Sequence, residues 1–150
     1  MKTELAKATL RNLRDLGWLE GIIDGEGSIS FTKSRACGTT TYRGFAWQAR
    51  LAIGSTTEPI VLRARKIVGE GSVGKSQHRT QFSTKPQYRF LLANGGIRRL
   101  FPKLRLTIKD DHRKLVLEAV RLLSEHRQNH TPHDARLEEI YQEMKRLNGG

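Results

Sequence analysis

The sequence has little of what secreted and membrane proteins need. Its single cysteine, Cys37, excludes an intrachain disulfide and fits a reducing, intracellular setting. No hydrophobic run approaches the roughly 20 residues of a membrane span, and the first residues lack the apolar stretch of a signal peptide. No Cys and His spacing indicates a structural zinc site. We therefore expect an intracellular protein with no membrane partner.

Acidic residues are also scarce. The 150-residue chain carries 27 Lys and Arg against 15 Asp and Glu, a formal net charge of +12. A compact protein this basic is most often a nucleic-acid binder, because cationic side chains displace counterions from phosphates; a basic structural scaffold is the alternative. The length is that of one domain. We therefore predict a single domain, 1–150, that binds nucleic acid.

The most informative segment lies between residues 16 and 31. Its apolar helical run ends in two acids, Asp24 and Glu26, and a glycine follows each of them. The C-terminal end of a helix carries partial negative charge, so acids there cost a few tenths to about 1 kcal/mol. A cation among the carboxylates would offset this cost, and a divalent metal ion is the obvious candidate.

Glycines recur at every fourth position of the same helix, at Gly17, Gly21 and Gly25. Residues four apart lie on one side of a helix, so these three form a bare stripe. Each interior glycine costs roughly 1 kcal/mol relative to alanine, and close approach of a second helix backbone would offset that cost. The stripe therefore predicts a helix–helix contact. An ordinary buried amphipathic helix with a glycine-rich end is the alternative.

The rest of the chain alternates between helical and strand periods. The pattern predicts the order α-β-β-α-β-β-α, followed by one further helix. The predicted elements are a lead-in helix in 1–14, the acid-ended helix at about 15–25, a strand after Gly27, a strand at about 42–53, a helix from 55–59 to Gly69, strands at about 72–81 and 86–94, a turn at 94–96, a short helix at 97–101, and helices at about 110–126 and 134–147.

The run Leu-Glu-Gly-Ile-Ile-Asp-Gly-Glu-Gly at 19–27 closely resembles the signature of the LAGLIDADG homing endonucleases. The element order extends this resemblance over about 15–125, and 126–150 would be a helical extension. The resemblance implies an α+β fold of αββαββα order, with a saddle of antiparallel β-hairpins and the motif helix at a dimer interface. Glu20 departs from the pattern, because this position is usually small. The motif occurs once, which implies half an active site and hence a homodimer.

The resemblance also implies roles for individual residues. The last acid of the motif binds the catalytic metal, so Glu26, with the backbone carbonyl of Gly25, is the expected Mg²⁺ site. Carboxylates and phosphate oxygens are ligands that Mg²⁺ prefers. Asp24 is the supporting acid at the helix end. Lys109 stands where the family carries a lysine and is the expected catalytic cation, with Lys103 and Arg105 as alternatives. The expected interface residues are Gly17, Trp18, Gly21, Ile22 and Gly25.

Each predicted hairpin has one apolar and one polar face, and a two-stranded ribbon fits the DNA major groove. The predicted base-reading residues are Ser30, Thr32, Ser34, Gln48, Arg50, Ser76, His78, Gln87 and Arg89. Lys75 is also expected to bind DNA, through phosphates, as are Lys33, Arg35, Arg43, Arg79 and Lys85. Strands of about nine residues span roughly 30 Å, so two subunits would cover on the order of 20 base pairs of a nearly palindromic site.

These features together predict a homodimeric, Mg²⁺-dependent, site-specific endonuclease of the homing type that cuts both strands of double-stranded DNA. Two alternatives share the fold: a maturase that binds intron RNA and assists its splicing, and a catalytically inactive DNA-binding regulator. The presence of Asp24, Glu26 and Lys109 favours the nuclease over the inactive regulator.

Overall fold

The computed structural model describes residues 2–35, 45–76, 85–129 and 134–149, without the side chains of 2–10, 35, 45, 126–129 and 134. The elements are α1 (Lys2–Glu26), β1 (Gly27–Arg35), β2 (Phe45–Ser55), α2 (Glu58–Val68), β3 (Ser72–Ser76), β4 (Gln87–Ala93), α3 (Asn94–Leu100), a 3₁₀ turn (Phe101–Lys103), α4 (Asp110–Asn129) and α5 (Asp134–Leu147). The predicted order and α+β class are confirmed. Among the described residues, no helix is both long and apolar enough to cross a bilayer.

Two predicted boundaries are wrong. The lead-in helix and the acid-ended helix form one element, α1, because 2–16 contain no Gly or Pro that would end the first. The turn predicted at 94–96 is the first turn of α3. There the Asn94 side chain accepts a hydrogen bond from the Ala49 N–H (2.6 Å) and donates one to the Trp47 carbonyl (3.4 Å). It thus continues the β2–β4 pairing beyond the end of β4.

The four strands form one antiparallel sheet in the order β1-β2-β4-β3. The register sets Ile29 opposite Leu51 on the buried inner face, and Ser30 opposite Arg50 on the other. The predicted alternation is therefore confirmed. The outer face keeps its polar side chains exposed, whereas the inner face is covered by helices.

One core lies between the inner face of the sheet and the helices. It includes Leu19 and Ile23 of α1, and Leu137, Ile140 and Met144 of α5, all buried in the same cluster as the strands. α5, whose role the sequence does not explain, is thus part of the central core.

The junction between α1 and β1 is unusually close. A Cβ atom on Gly27 would lie 2.7 Å from the Ile23 carbonyl oxygen and 2.9 Å from the Ile23 Cα. Only glycine allows the chain to leave the helix this tightly. The junction sets the acidic end of α1 directly at the base of the first hairpin.

Candidate active site and nucleic-acid interface

Asp24 faces a loop that lies far away in the sequence. Its carboxylate accepts hydrogen bonds from the backbone N–H groups of Thr107 (2.8 Å), Ile108 (3.0 Å) and Lys109 (3.0 Å). Burial acts to raise the pKa of Asp24, but these three hydrogen bonds and the Lys109 charge outweigh it and hold the pKa below its ordinary value. The charge of Asp24 is therefore satisfied by the protein itself, without the cation that the sequence predicted.

The Lys109 ammonium lies on the end of α1. Its Nζ donates to the carbonyl oxygens of Ile23 (2.9 Å), Asp24 (2.9 Å) and Gly27 (2.7 Å). A cation at this position stabilises the negative end of the helix dipole. Because an ammonium has three donors, all of them are used here. These contacts support a helix-capping role, and the catalytic role expected for Lys109 stays a prediction.

The loop between the 3₁₀ turn and α4 is bonded along its whole length. Glu20 accepts a hydrogen bond from the Arg105 N–H, and Asp110 accepts one from the Leu106 N–H (3.1 Å). Asp110 is held in turn by the Arg113 guanidinium at 2.6 Å, which keeps its pKa well below the usual range. Glu20 and Asp24 thus hold the backbone of 105–109 against α1, and Asp110 ties it to the start of α4. Glu20, the departure from the family pattern, is thus explained by this contact.

Glu26, two residues beyond Asp24, lies in the opposite environment. Its side chain is exposed, and within the described part of the chain it makes no hydrogen bond or ion pair. Lys109 binds the neighbouring carbonyls of Asp24 and Gly27 and leaves that of Gly25. Glu26 is therefore the one acid of the motif whose oxygens are available to a cation.

The donors of one chain fit only part of a metal site. No group of three His, Cys, Asp or Glu side chains suited to a metal occurs among the residues the structure describes. A carboxylate and a backbone carbonyl are hard oxygen ligands suited to Mg²⁺, which commonly takes its other ligands from water and substrate phosphates. Glu26 and Gly25 fit such a partial, open site.

The glycine stripe on α1 is open. A Cβ atom on Gly17, Gly21 or Gly25 would meet no atom within 4 Å. Trp18 and Ile22, which were predicted in the same interface, are half-buried and pack against the core. The Trp18 ring lies 4.3 Å from the Arg63 guanidinium carbon.

Two exposed apolar residues lie near this stripe, and the sequence did not predict them as interface residues. Leu13 stands four residues before Gly17 and is 60% exposed. Ile108, whose N–H binds Asp24, is 71% exposed. In the sequence, Ile108 is the last apolar residue of an alternating run with Leu104 and Leu106, and nothing there distinguishes it from those two buried leucines.

The outer face of the sheet brings together most of the predicted base-reading residues. Thr32 lies opposite Gln48, and Ser76 lies opposite Gln87. The outer-face side chains are Ser30, Thr32, Ser34, Gln48, Arg50, Ser76, Gln87 and Arg89. His78 lies outside the described residues, as do Arg43 and Arg79.

Two lysines lie on the other face. Lys75 pairs with Tyr88 on the inner side, and its ammonium lies 5.9 Å from the Tyr88 ring centroid. Lys33 also points inward, where it binds Glu138 of α5 at 2.8 Å. Both lie opposite the predicted base-reading residues, because strand side chains alternate and both follow residues that face outward. The phosphate contacts expected for Lys33 and Lys75 stay predictions.

Comparison with known proteins supports the fold. No family model matches the chain, and no curated protein matches its sequence. The chain is similar to the solved structure of the homing endonuclease I-CvuI in complex with its target, with 21% identity over 94% of this chain and 86% of that chain, and a TM-score of 0.72. It is similar to the homing endonuclease I-TnaI, with 21% identity over 89% and 92% of the two chains and a TM-score of 0.64.

A third structure, I-SmaMI bound to an uncleaved DNA target in the presence of calcium ions, matches 89% of this chain at 20% identity with a TM-score of 0.66. The match covers only 45% of the I-SmaMI chain. The chain thus has the LAGLIDADG homing endonuclease fold.

Proposed function

We propose that the chain is a site-specific DNA endonuclease of the homing type, which acts as a homodimer with a divalent cation, Mg²⁺. The observation that carries the proposal is the contrast at the end of α1. Asp24 is fully bonded to the protein, whereas Glu26 is exposed and unpartnered among the described residues. In a fold shared with homing endonucleases, a free carboxylate at this place is suited to hold a metal ion.

The protein's own residues supply the position of that carboxylate. Lys109 caps α1, and Asp24 ties the helix to the loop at 107–109, so the backbone that carries Glu26 is held on two sides. A carboxylate that is already held in place favours catalysis more than a mobile one, because no conformational entropy is lost in ordering it during the reaction. When bound, the cation would polarise a phosphoryl oxygen and stabilise charge developing on the leaving oxygen.

Three observations support the homodimer. The acid-ended motif occurs once in the sequence. The glycine stripe is open to close approach, with Leu13 and Ile108 exposed nearby. A unit of this size accounts for 45% of the I-SmaMI chain, as expected if that protein contains two such units. Two copies packed along their stripes would bring two Glu26 side chains together.

Substitution at Gly21 tests the dimer. Gly21→Leu adds a side chain where one protomer has only open space, so the protomer should fold with unchanged or slightly higher stability. Packing of two helices along the stripe should be blocked. We expect sedimentation equilibrium at micromolar concentration to show a dimer for the wild type and a monomer for Gly21→Leu. Gly21→Ala, one methyl group larger, is the graded control and should weaken the dimer only modestly. A monomeric wild type would contradict the proposal.

The outer face of the sheet supports double-stranded DNA as the substrate. It is polar and includes two arginines, Arg50 and Arg89, and two glutamines, Gln48 and Gln87, which suit bidentate contacts with guanine and adenine. The net charge of +12 favours binding to phosphates. The hairpins of two subunits would together cover on the order of 20 base pairs.

Glu26→Gln tests the cleavage site. The wild type would be incubated with Mg²⁺ and a library of duplexes with 24 randomised base pairs, and both the duplexes that stay bound and the cut products would be sequenced to identify a preferred target. On that target we expect Glu26→Gln to bind normally and to cut about a thousandfold more slowly, because the cation loses a carboxylate.

The control for this variant is Glu58→Gln, which removes an exposed acid from α2 and should cut at the wild-type rate. Undiminished cleavage by Glu26→Gln would refute the assigned ligand. A wild type that selects a duplex but does not cut it would instead be an inactive DNA-binding protein. Intron RNA as a partner stays a prediction.

A further inference from the structure

Helix α5 is fastened to the first hairpin through one lysine. The Lys33 Nζ lies 2.8 Å from the Glu138 carboxylate, 5.7 Å from the centroid of the Trp47 ring and 5.1 Å from that of the Tyr141 ring. Glu138 and Tyr141 belong to α5, whereas Lys33 and Trp47 belong to β1 and β2. We call these four residues the hairpin brace.

Aromatic packing extends the brace into the core. Phe31 stacks on Trp47 with ring centroids 5.4 Å apart and an interplanar angle of 8°. Tyr141 meets the same indole edge-on at 6.1 Å and 72°. The Lys33 side chain is only 27% exposed, so its attraction to the carboxylate and the rings is less screened than that of a surface lysine.

The brace lies directly behind residues proposed to read DNA. Lys33 pairs with Trp47, and the neighbouring pair, Thr32 and Gln48, lies on the outer face. Because side chains alternate along a strand, the two pairs occupy opposite faces at nearly the same height. Lys33 is six residues from Gly27, about 20 Å along the strand, which corresponds to about six base pairs from the proposed catalytic end.

We propose that the hairpin brace sets the position of the β1–β2 hairpin in the DNA groove, and so determines base-pair selectivity in the outer part of each half-site. The inference rests on the proposed DNA endonuclease function. Lys33, Glu138 and Tyr141 are positioning residues, since they lie on the face that is turned away from the proposed DNA surface.

The physical reason lies in the weakness of an unsupported ribbon. An isolated two-stranded hairpin is at best marginally stable and needs packing on one face. Bidentate contacts to bases tolerate little displacement, so a ribbon free to shift by about 1 Å would lose discrimination between bases before it loses its contacts with phosphates. The brace supplies the missing support behind Thr32 and Gln48.

The test compares Lys33→Met with Arg136→Met. Arg136 also lies on α5, but its ion pairs are with Glu118 and Glu139 and do not involve the hairpin. Each variant removes one positive charge and breaks ion pairing that involves a residue of α5. Cleavage rates would be measured with Mg²⁺ on the target selected for the wild type, and on a panel in which each base pair is substituted in turn.

We expect Lys33→Met to lose about tenfold in discrimination at base pairs about five to seven from the centre, and to keep wild-type discrimination near the centre. Arg136→Met should keep the full wild-type profile. Lys33→Arg, which retains the charge, should restore most of the lost selectivity. Equal weakening at every base pair, or the same profile in Lys33→Met and Arg136→Met, would overturn the proposal.

Hydrogen exchange of the free protein tests the hairpin brace independently of the proposed function. We expect the amides of 30–34 and 46–50 to exchange faster in Lys33→Met than in Arg136→Met. Faster exchange with an unchanged base-pair profile would overturn the role in selectivity. If the wild type selected no duplex at all, the proposed function and this inference would both fall, and exchange would still show whether the brace holds the hairpin.

Discussion

The two β-hairpins carry similar polar outer faces but differ in what lies behind them. The first, β1–β2, is 9 and 11 residues long on its two strands and is backed by α5 through the hairpin brace. The second, β3–β4, has strands of 5 and 7 residues, and every side chain of β3 is exposed. On its inner side, the contact that the described residues show for Lys75 is with the Tyr88 ring of β4.

The same alternation of inward and outward side chains is thus supported by different contacts in the two hairpins. In the first hairpin the inward-facing Lys33 is bound by a carboxylate and two aromatic rings, whereas Lys75 in the second has one ring and no described acid. We expect the first hairpin to meet DNA in a fixed geometry and the second to adapt to it. Three experiments test the contrast.

The largest effect is expected where α5 meets the core. Ile140 is fully buried, so Ile140→Ala should lower the free energy of unfolding by about 3 kcal/mol through lost burial and a cavity. In the second hairpin, Val73→Ala on β3 removes a side chain that is 36% exposed and should cost less than about 1 kcal/mol. Urea unfolding measures both. Similar losses would show that the two hairpins are supported equally.

A smaller, pH-dependent effect is expected from Glu138. Hydrogen bonds from Lys33 and then from Gln142 hold the pKa of Glu138 below its usual value of about 4.5, despite burial. A carboxyl whose pKa is lower in the folded state stabilises that state above its unfolded pKa. The stabilisation is lost as the pH falls through the folded value.

Glu138→Gln should therefore be less stable than the wild type at pH 7 by less than about 1 kcal/mol, and the difference should shrink below pH 4.5. Unfolding in urea across pH 2.5 to 7 gives this difference directly, because other acids contribute equally to both proteins. A difference that stayed constant with pH would show that Lys33 does not hold this carboxylate.

The smallest effect is expected at Lys75. Lys75→Met removes an exposed cation with one long contact to Tyr88, so the free energy of unfolding should change by less than about 0.5 kcal/mol. Lys33→Met should cost more, about 1 kcal/mol, because it also breaks the contact with Glu138. Equal costs at the two lysines, measured under the same conditions, would remove the asymmetry between the hairpins.

The local features of the fold were predictable from the sequence. Alternation set Ile29 and Leu51 inward and Thr32 and Gln48 outward, and the acids and glycines of 19–27 marked the end of α1. Hydrophobic periodicity and the residues that end a helix act over a few neighbouring positions, so both can be recognised in a single sequence. Alternation also set Lys33 on the apolar face, yet its basic character led to a predicted phosphate contact.

The partners of the site residues were not predictable, because they are remote in the chain. Asp24 binds backbone groups 83 to 85 residues away, and Lys33 binds Glu138 at a separation of 105. Glu20 accepts a hydrogen bond from the backbone N–H of Arg105. Every residue except proline has such an N–H, so no sequence motif identifies which one will be the partner. Sequence patterns identified Glu26 as an acid of interest. Only the folded chain shows that the Asp24 carboxylate accepts a hydrogen bond from the Lys109 N–H, and that the Lys109 ammonium donates one to the Asp24 carbonyl oxygen.

The cap on α1 has a consequence for how the protein matures. The hydrogen bonds that the Asp24 carboxylate and the Lys109 ammonium make at the helix end require residues 107–109, so a ribosome must add 83 to 85 residues after Asp24 before they can form. Contacts this distant in sequence are costly to close and form slowly. Nascent and truncated chains that contain the whole motif but not residues 107–109 therefore still lack a fixed helix end, which delays assembly of the proposed cutting site until those residues have been made.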